Sequence, residues 1–193
     1  MGGFFGITSK QSCMVDVFFG VDYHSHLGTR RAGLAAYDAE IGLQRVIHNI
    51  ENSPFRTKFE HVLEEMKGTS AIGCISDSDA QPLLVRSKLG LYAICIIGLI
   101  NNKEKLVEDY LFSNGGHFGA MTNEGINSTE LVAAMINQKD SFADGIAYAQ
   151  SLIDGTASIL ILTNCGTIIA SRDRLRRIPV LIGKRDDGDC VSF

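Results

Sequence analysis

Met1-Gly2-Gly3-Phe4-Phe5-Gly6-Ile7 opens the chain, and its reading decides the fold. A short apolar run broken by glycines suits a buried first strand. Phe4, Phe5 and Ile7 supply the burial, while glycine lets another part of the molecule come close to the backbone. Such a strand needs a core to enter. The 193 residues, 45% hydrophobic and 21% charged, are enough for one globular domain with a sizeable core.

Charge and cysteine usage exclude several functions. A net charge of -4 offers no basic surface to a nucleic-acid backbone or an anionic lipid surface, so no nucleic-acid partner is expected. The longest apolar stretch, residues 89–100, is broken by Gly90 and Gly98 and is shorter than the roughly 20 residues a bilayer-crossing helix takes. The amino terminus also lacks the basic segment and long apolar core of a signal peptide. The expectation is a cytoplasmic protein with no membrane partner. Cys13, Cys74, Cys95, Cys165 and Cys190 show no C-x-x-C spacing, so they read as reduced thiols packed as small side chains. His24 and His26 lack a third ligand nearby, so no metal is expected, and no cofactor either.

Working outward, residues 12–19 predict a short helix with Met14, Val15 and Phe18 on one face, closed by Gly20. Residues 34–37 and 43–50 predict two antiparallel strands. Ser53-Pro54 opens a helix carrying Phe55, Phe59, Val62, Leu63 and Met66, with serine as N-cap, and Gly68 ends it. A strand from Ala71 enters a turn at Asp77-Ser78-Asp79, whose carboxylates bond nearby backbone. A further strand, residues 91–102, is followed by a helix capped by Asn102, with Leu106, Val107, Tyr110 and Leu111 buried. Asn127-Ser128-Thr129-Glu130 reads as a capping box. Residues 141–153 form another helix. Strands 158–162 and 167–171 flank the turn Asn164-Cys165-Gly166, and strands at 180–183 and 190–193 end the chain. Between them Arg172-Asp173-Arg174-Leu175-Arg176-Arg177 reads as a solvated turn paired with Asp186, Asp187 and Asp189, with a docking surface as the minority reading. Strand pairs alternating with helix pairs give an α+β fold. The layering is an α/β/β/α sandwich of two mostly antiparallel sheets.

Four stretches together carry a resemblance: the opening run, Gly28-x4-Gly33-Leu34, Asn127-Ser128-Thr129-Glu130-Leu131, and Ile169-Ala170-Ser171-Arg172-Asp173-Arg174-Leu175 followed by Pro179-Val180-Leu181-Ile182-Gly183. They resemble the glutamine-hydrolysing half of amidophosphoribosyltransferase, a class II glutamine amidotransferase with the N-terminal-nucleophile hydrolase fold. The resemblance covers nearly the whole chain and implies the same sandwich. It also implies that residues 1–193 are a single amidotransferase-like domain, the N-terminal part of a longer chain, followed by a C-terminal phosphoribosyltransferase domain. A homo-oligomer is expected.

The resemblance is weakest where the chemistry belongs. The family's nucleophile is a cysteine after the initiator Met; here that position is Gly2, and a hydrogen cannot attack an amide. The His-Arg-Gly-Gln signature becomes His26-Leu27-Gly28-Thr29, so its arginine is Leu27. The arginine that grips the glutamine carboxylate becomes Ser76, losing a bidentate partner. The Asn and Gly of the oxyanion hole become Ile96 and Ile97, and such donors are worth about 3 kcal/mol each. The aspartate that holds the substrate ammonium becomes Ser128. Cys95 and Cys74 have no flanking base that would make either a substitute nucleophile. The expected function is therefore an amidotransferase-like domain that has lost glutamine hydrolysis and plays a structural or regulatory role. Two alternatives stand beside it: an active amidotransferase in which Gly2 is a substitution of the cysteine, and a non-enzymatic module for a small-molecule ligand.

Overall fold

The structure, a computed structural model, describes residues 2–122 and 125–192. Strand β1 (Gly2–Ser9) lies inside a six-stranded antiparallel sheet with β2 (Arg31–Asp38), β3 (Gly42–Asn49), β4 (Ser70–Ser76), β11 (Leu181–Arg185) and β12 (Gly188–Ser192). Their order is β11-β12-β1-β4-β2-β3, so the two ends of the chain pair with each other. The second sheet holds β5 (Leu83–Ser87), β6 (Gly90–Ile100), β9 (Gly155–Thr163) and β10 (Ile168–Ser171) in the order β10-β9-β6-β5. Met121–Thr122 and Gly125–Ile126, β7 and β8, make a small separate pair.

Three apolar spaces define the layers. Phe4, Ile72 and Cys74 of the first sheet meet Ala93, Cys95, Leu160 and Leu162 of the second between the sheets. Alternate residues of the first sheet, Ile7, Leu34 and Ile75, pack on Val17, Phe55, Phe59 and Val62 from α1 (Met14–Asp22), α2 (Phe55–Phe59) and α3 (Val62–Glu65). The outer face of the second sheet, including Tyr92, Ile94 and Ile159, is covered by α4 (Lys103–Asn114), α5 (Ser128–Ile136) and α6 (Phe142–Leu152). The period-2 alternation of strand side chains makes one sheet serve two cores. The expected four-layer sandwich is the fold.

Several local expectations give way to tertiary packing. Helix α1 runs through Gly20 to Asp22, because a Cβ at Gly20 would lie 2.3 Å from the Phe5 ring. The second helix is two short ones, and Pro54 holds the N-cap place with no side-chain bond there. Asn102 does not cap α4; its side chain accepts from Asp154 N–H at 2.9 Å and donates to Leu152 O at 2.9 Å, tying the end of α6 to β6. The capping box is half formed. Asn127 Oδ1 accepts Thr129 N–H at 2.8 Å, but Glu130 turns to the preceding loop and accepts Gly119 N–H and Ala120 N–H at 2.8 and 2.7 Å. The basic tract does not pair with the three late aspartates. Arg172 donates to Ile178 O and Arg176 O, and Arg177 to Gly155 O, while Asp187 is taken by Arg185.

Candidate functional site

The site belongs at the pole of the sandwich where β1 begins. Gly2 pairs with Ser76, and Ser76 pairs with Arg31, so the three lie in one row across β1, β4 and β2. Phe4, Cys74 and Ala35, two and four residues away on the same strands, face the space between the sheets. By alternation, so do Gly2, Ser76 and Arg31. Across that space stands Ile97. A Cβ at Gly2 would lie 2.3 Å from the Ile75 carbonyl oxygen and 3.1 Å from Ile97 Cδ1. The first distance is far inside van der Waals contact, and its partner is backbone within a central strand. A side chain at Gly2 therefore requires the backbone around Ile75 to shift.

Ile96 and Ile97 are adjacent in sequence but serve different layers. Ile97 fills the space between the sheets, whereas Ile96 points into the helix-side core. The Ile96 backbone is spoken for: its N–H donates to Gln81 Oε1 at 2.8 Å and its carbonyl accepts from Gln81 Nε2 at 3.0 Å. Thr129 Oγ1 donates to the same Gln81 oxygen at 3.0 Å. Gln81 is 3% exposed, so these bonds form away from water, where leaving them unmade is costly. The Ile96 amide is thereby held by a side chain of the same protein.

The segment carrying Gln81 knits three elements together. Asn127 Nδ2 donates to Ala80 O at 3.0 Å, and the buried Asp79 accepts Ser128 N–H at 3.0 Å. A carboxylate at the first turn of α5 also meets the positive end of the helix. Ser128, expected at the lost ammonium-binding position, thus contributes its backbone to an internal bond. Asp77 reaches Thr29 N–H at 2.7 Å. Burial works to raise the Asp77 carboxyl, but the bond from Thr29 N–H, then the positive charge of the amino terminus and, last, Arg30 outweigh it and hold the carboxyl below its ordinary value. The Asp-Ser-Asp run does bond backbone, as expected, but at long range and not within a local turn. The segment needs Gly33 beneath it, since a Cβ there would lie 2.1 Å from Gln81 O. Leu27 sits half-buried in the turn after α1, its N–H donating to His24 O at 2.9 Å.

The buried thiols are not poised for attack. Cys74 and Cys95 are fully buried between the sheets, and burial, then the neighbouring Cys74, pushes the Cys95 thiol up. Burial pushes Cys13 up to about 12. Cys165 is exposed in the β9–β10 turn, where bonds with Thr163 and Thr167 lower it.

Two residues to which the sequence reading gave no role stand at this pole. His24 is 3% exposed, with Nδ1 2.8 Å from Gly20 O and Nε2 3.3 Å from Ser192 Oγ, and its ring lies where a Cβ at Gly3 would go. It ties the exit of α1 to β12, and the nearby His26 Nδ1 lies 2.8 Å from Tyr23 O. Arg31 is half-buried beside Ser76, with no ion pair or side-chain hydrogen bond among the described residues. It places a guanidinium one strand away from the position where the resemblance expected one. Only the strand register, invisible in the sequence, makes the two neighbours.

The fold is that of the class II glutamine amidotransferases, the N-terminal-nucleophile hydrolase sandwich. Among solved structures, the chain is similar to glutamine phosphoribosylpyrophosphate (PRPP) amidotransferase from B. subtilis complexed with ADP and GMP. The TM-score is 0.82 at 26% identity, covering 98% of this chain and 41% of that one. It is similar to the same extent to a structure described as the allosteric regulatory enzyme of purine biosynthesis, with TM-score 0.82, 26% identity and the same coverage. A glutamine aminotransferase class-II domain protein from Silicibacter pomeroyi shares the fold alone, with TM-score 0.61 at 13% identity over 98% of this chain and 87% of that one. The chain therefore spans 41% of the length of the first two. No protein-family description matches the sequence. No curated protein matches it either. Among the described residues no helix is long and apolar enough to cross a membrane.

Proposed function

We propose that residues 1–193 are a single amidotransferase-like domain of a longer protein and that it does not hydrolyse glutamine. Its role is to support or regulate an attached phosphoribosyltransferase-type synthase that takes free ammonia, in the cytoplasm. The observation that carries the loss is the collision at Gly2: 2.3 Å from a Cβ to the Ile75 carbonyl oxygen. The occupied Ile96 backbone and the isoleucine at 97 support it from the other side of the space. The 41% coverage of PRPP amidotransferase supports the longer chain.

The test is ammonia release from glutamine by the natural protein and by Gly2→Cys, each with and without a glutamine-analogue affinity label. The expected result is background release from both and no labelling. Release above background that the label abolishes would overturn the proposal. Rescue in Gly2→Cys alone would favour an active ancestor with a substituted nucleophile.

Arg31 favours a second reading, a non-enzymatic pocket for a small carboxylate. A half-buried guanidinium without a partner matches a carboxylate in a bidentate geometry. On this reading, amino acids and dicarboxylates raise the melting temperature of the natural protein but not of Arg31→Gln, by linkage of binding to stability. Equal response of the two proteins would remove it.

A further inference from the structure

The outer strands of the two sheets, β3 and β5, border a cleft of about 500 Å³ whose lining does not include Gly2, Ser76 or Arg31. Tyr110 of α4, the loop at His117 and the face of α5 close its other side. The volume falls in the range of roughly 300–1,000 Å³ typical of small-molecule sites. Two cations line it, Arg45 on β3 and Arg86 on β5. Leu43 faces the inter-sheet core and Val46 the helix-side core, so Arg45 lies on the inter-sheet side of β3. Leu83 and Val85 pack on the helix side, so Arg86 lies on the inter-sheet side of β5. The two guanidiniums thus stand on faces turned toward one another at the open edge of the sandwich.

Neither arginine makes an ion pair or a side-chain hydrogen bond among the described residues. Arg56, Arg177 and Arg185, by contrast, are engaged with Asp22, with Gly155 O, and with Asp16 and Asp187. Among the described residues the one acid lining the cleft, Glu130, spends its two oxygens on Gly119 N–H and Ala120 N–H. That bond pair also fixes the wall, as does the acceptance of Tyr92 O–H by Asn137 Oδ1 at 2.9 Å. A protein of net charge -4 therefore keeps a walled cleft with an apolar floor and two uncompensated guanidiniums.

We propose that this cleft binds a small oxyanion-bearing molecule, a phosphate or carboxylate compound, gripped between Arg45 and Arg86. Planar guanidinium forks recognise both oxyanions by paired hydrogen bonds, and the floor of Leu83, Val85 and Ala133 receives an apolar body.

The test is calorimetric titration of the full chain at constant ionic strength with inorganic pyrophosphate, with citrate and with an oligo-glutamate peptide. Saturation by pyrophosphate assigns a phosphate ligand, and saturation by citrate a carboxylate one. In either case Arg45→Gln and Arg86→Gln each weaken binding about tenfold, the loss of one charge-assisted bond pair. Arg174→Gln, in a distant loop, leaves it unchanged. The proposal is overturned if neither small anion saturates, if only the peptide does, or if the double substitution of Arg45 and Arg86 binds as the natural protein does.

Discussion

The pole at Gly2 and the edge at β3 and β5 are built on the same two sheets and end in opposite states. At the pole, Arg31 apart, the polar side chains that bridge β4, β6 and α5 are consumed internally: Gln81 by Ile96 and Thr129, Asp79 by Ser128, Asn127 by Ala80 and Thr129. Isoleucine fills the space that remains. At the edge, an open cleft keeps two cations with no partner among the described residues. The first arrangement stabilises the fold and leaves little to offer a substrate. The second contributes little to stability and is free to bind. A fold can thus retain its framework while the place available for chemistry moves, because sheet edges and strand ends are packed independently.

The largest way to break this contrast is to open the closed pole. Gln81→Leu leaves the Ile96 N–H, the Ile96 carbonyl and the Thr129 hydroxyl without their partner in a buried place. At about 1–3 kcal/mol for each unmet group, partly relieved by water entry, the expected loss is about 4 kcal/mol of unfolding free energy, read from the urea midpoint. A loss below about 1 kcal/mol would mean that the bonds are not made in solution.

Gly2→Ala separates crowding from the absent thiol. A methyl group meeting the Ile75 carbonyl has to push β1 and β4 apart, at an expected cost of about 2 kcal/mol. An unchanged melting temperature would show that the strand ends yield freely, and would reopen the nucleophile position.

The smallest effect tests the edge. Arg45 and Arg86 are exposed and unpaired, so removing either charge shifts stability by less than about 0.5 kcal/mol. His48, on the other face of β3, supplies the contrasting control. Burial, then the charges of His61 and Lys58, lower it from 6.5, and its Nε2 is buried with no hydrogen-bond partner. The unfolded chain gains this proton near pH 6.5 and the folded chain only below it. Stability is therefore full above that pH and falls as pH drops toward the folded value. His48→Phe flattens that slope in denaturation curves taken across the window. An unaltered slope would assign the pH dependence to other groups.

Much of the sandwich was legible before any coordinates. Gly2-Gly3-Phe4-Phe5-Gly6-Ile7 did form an inner strand, and residues 164–166 did turn β9 into β10. The layers followed from alternation and amphipathic spacing, which are short-range properties of the chain. Strand β5 escaped notice because Leu83-Leu84-Val85-Arg86-Ser87 is brief and follows a proline, which favours a turn reading. Caps failed where a side chain found a better distant partner, as Asn102 did in Asp154 and Glu130 in Gly119.

At the candidate site the sequence alone determined which residue types stand at Gly2, Leu27, Ser76, Ile96, Ile97 and Ser128, and so which groups are absent. Only the tertiary structure decided that a side chain at Gly2 requires the backbone around Ile75 to shift, that Gln81 holds the Ile96 amide, and that Arg31 stands beside Ser76. The reason is range. Residue chemistry and periodicity are written along the chain, whereas occupancy of a space depends on atoms that folding brings together from about 15 to 95 positions away.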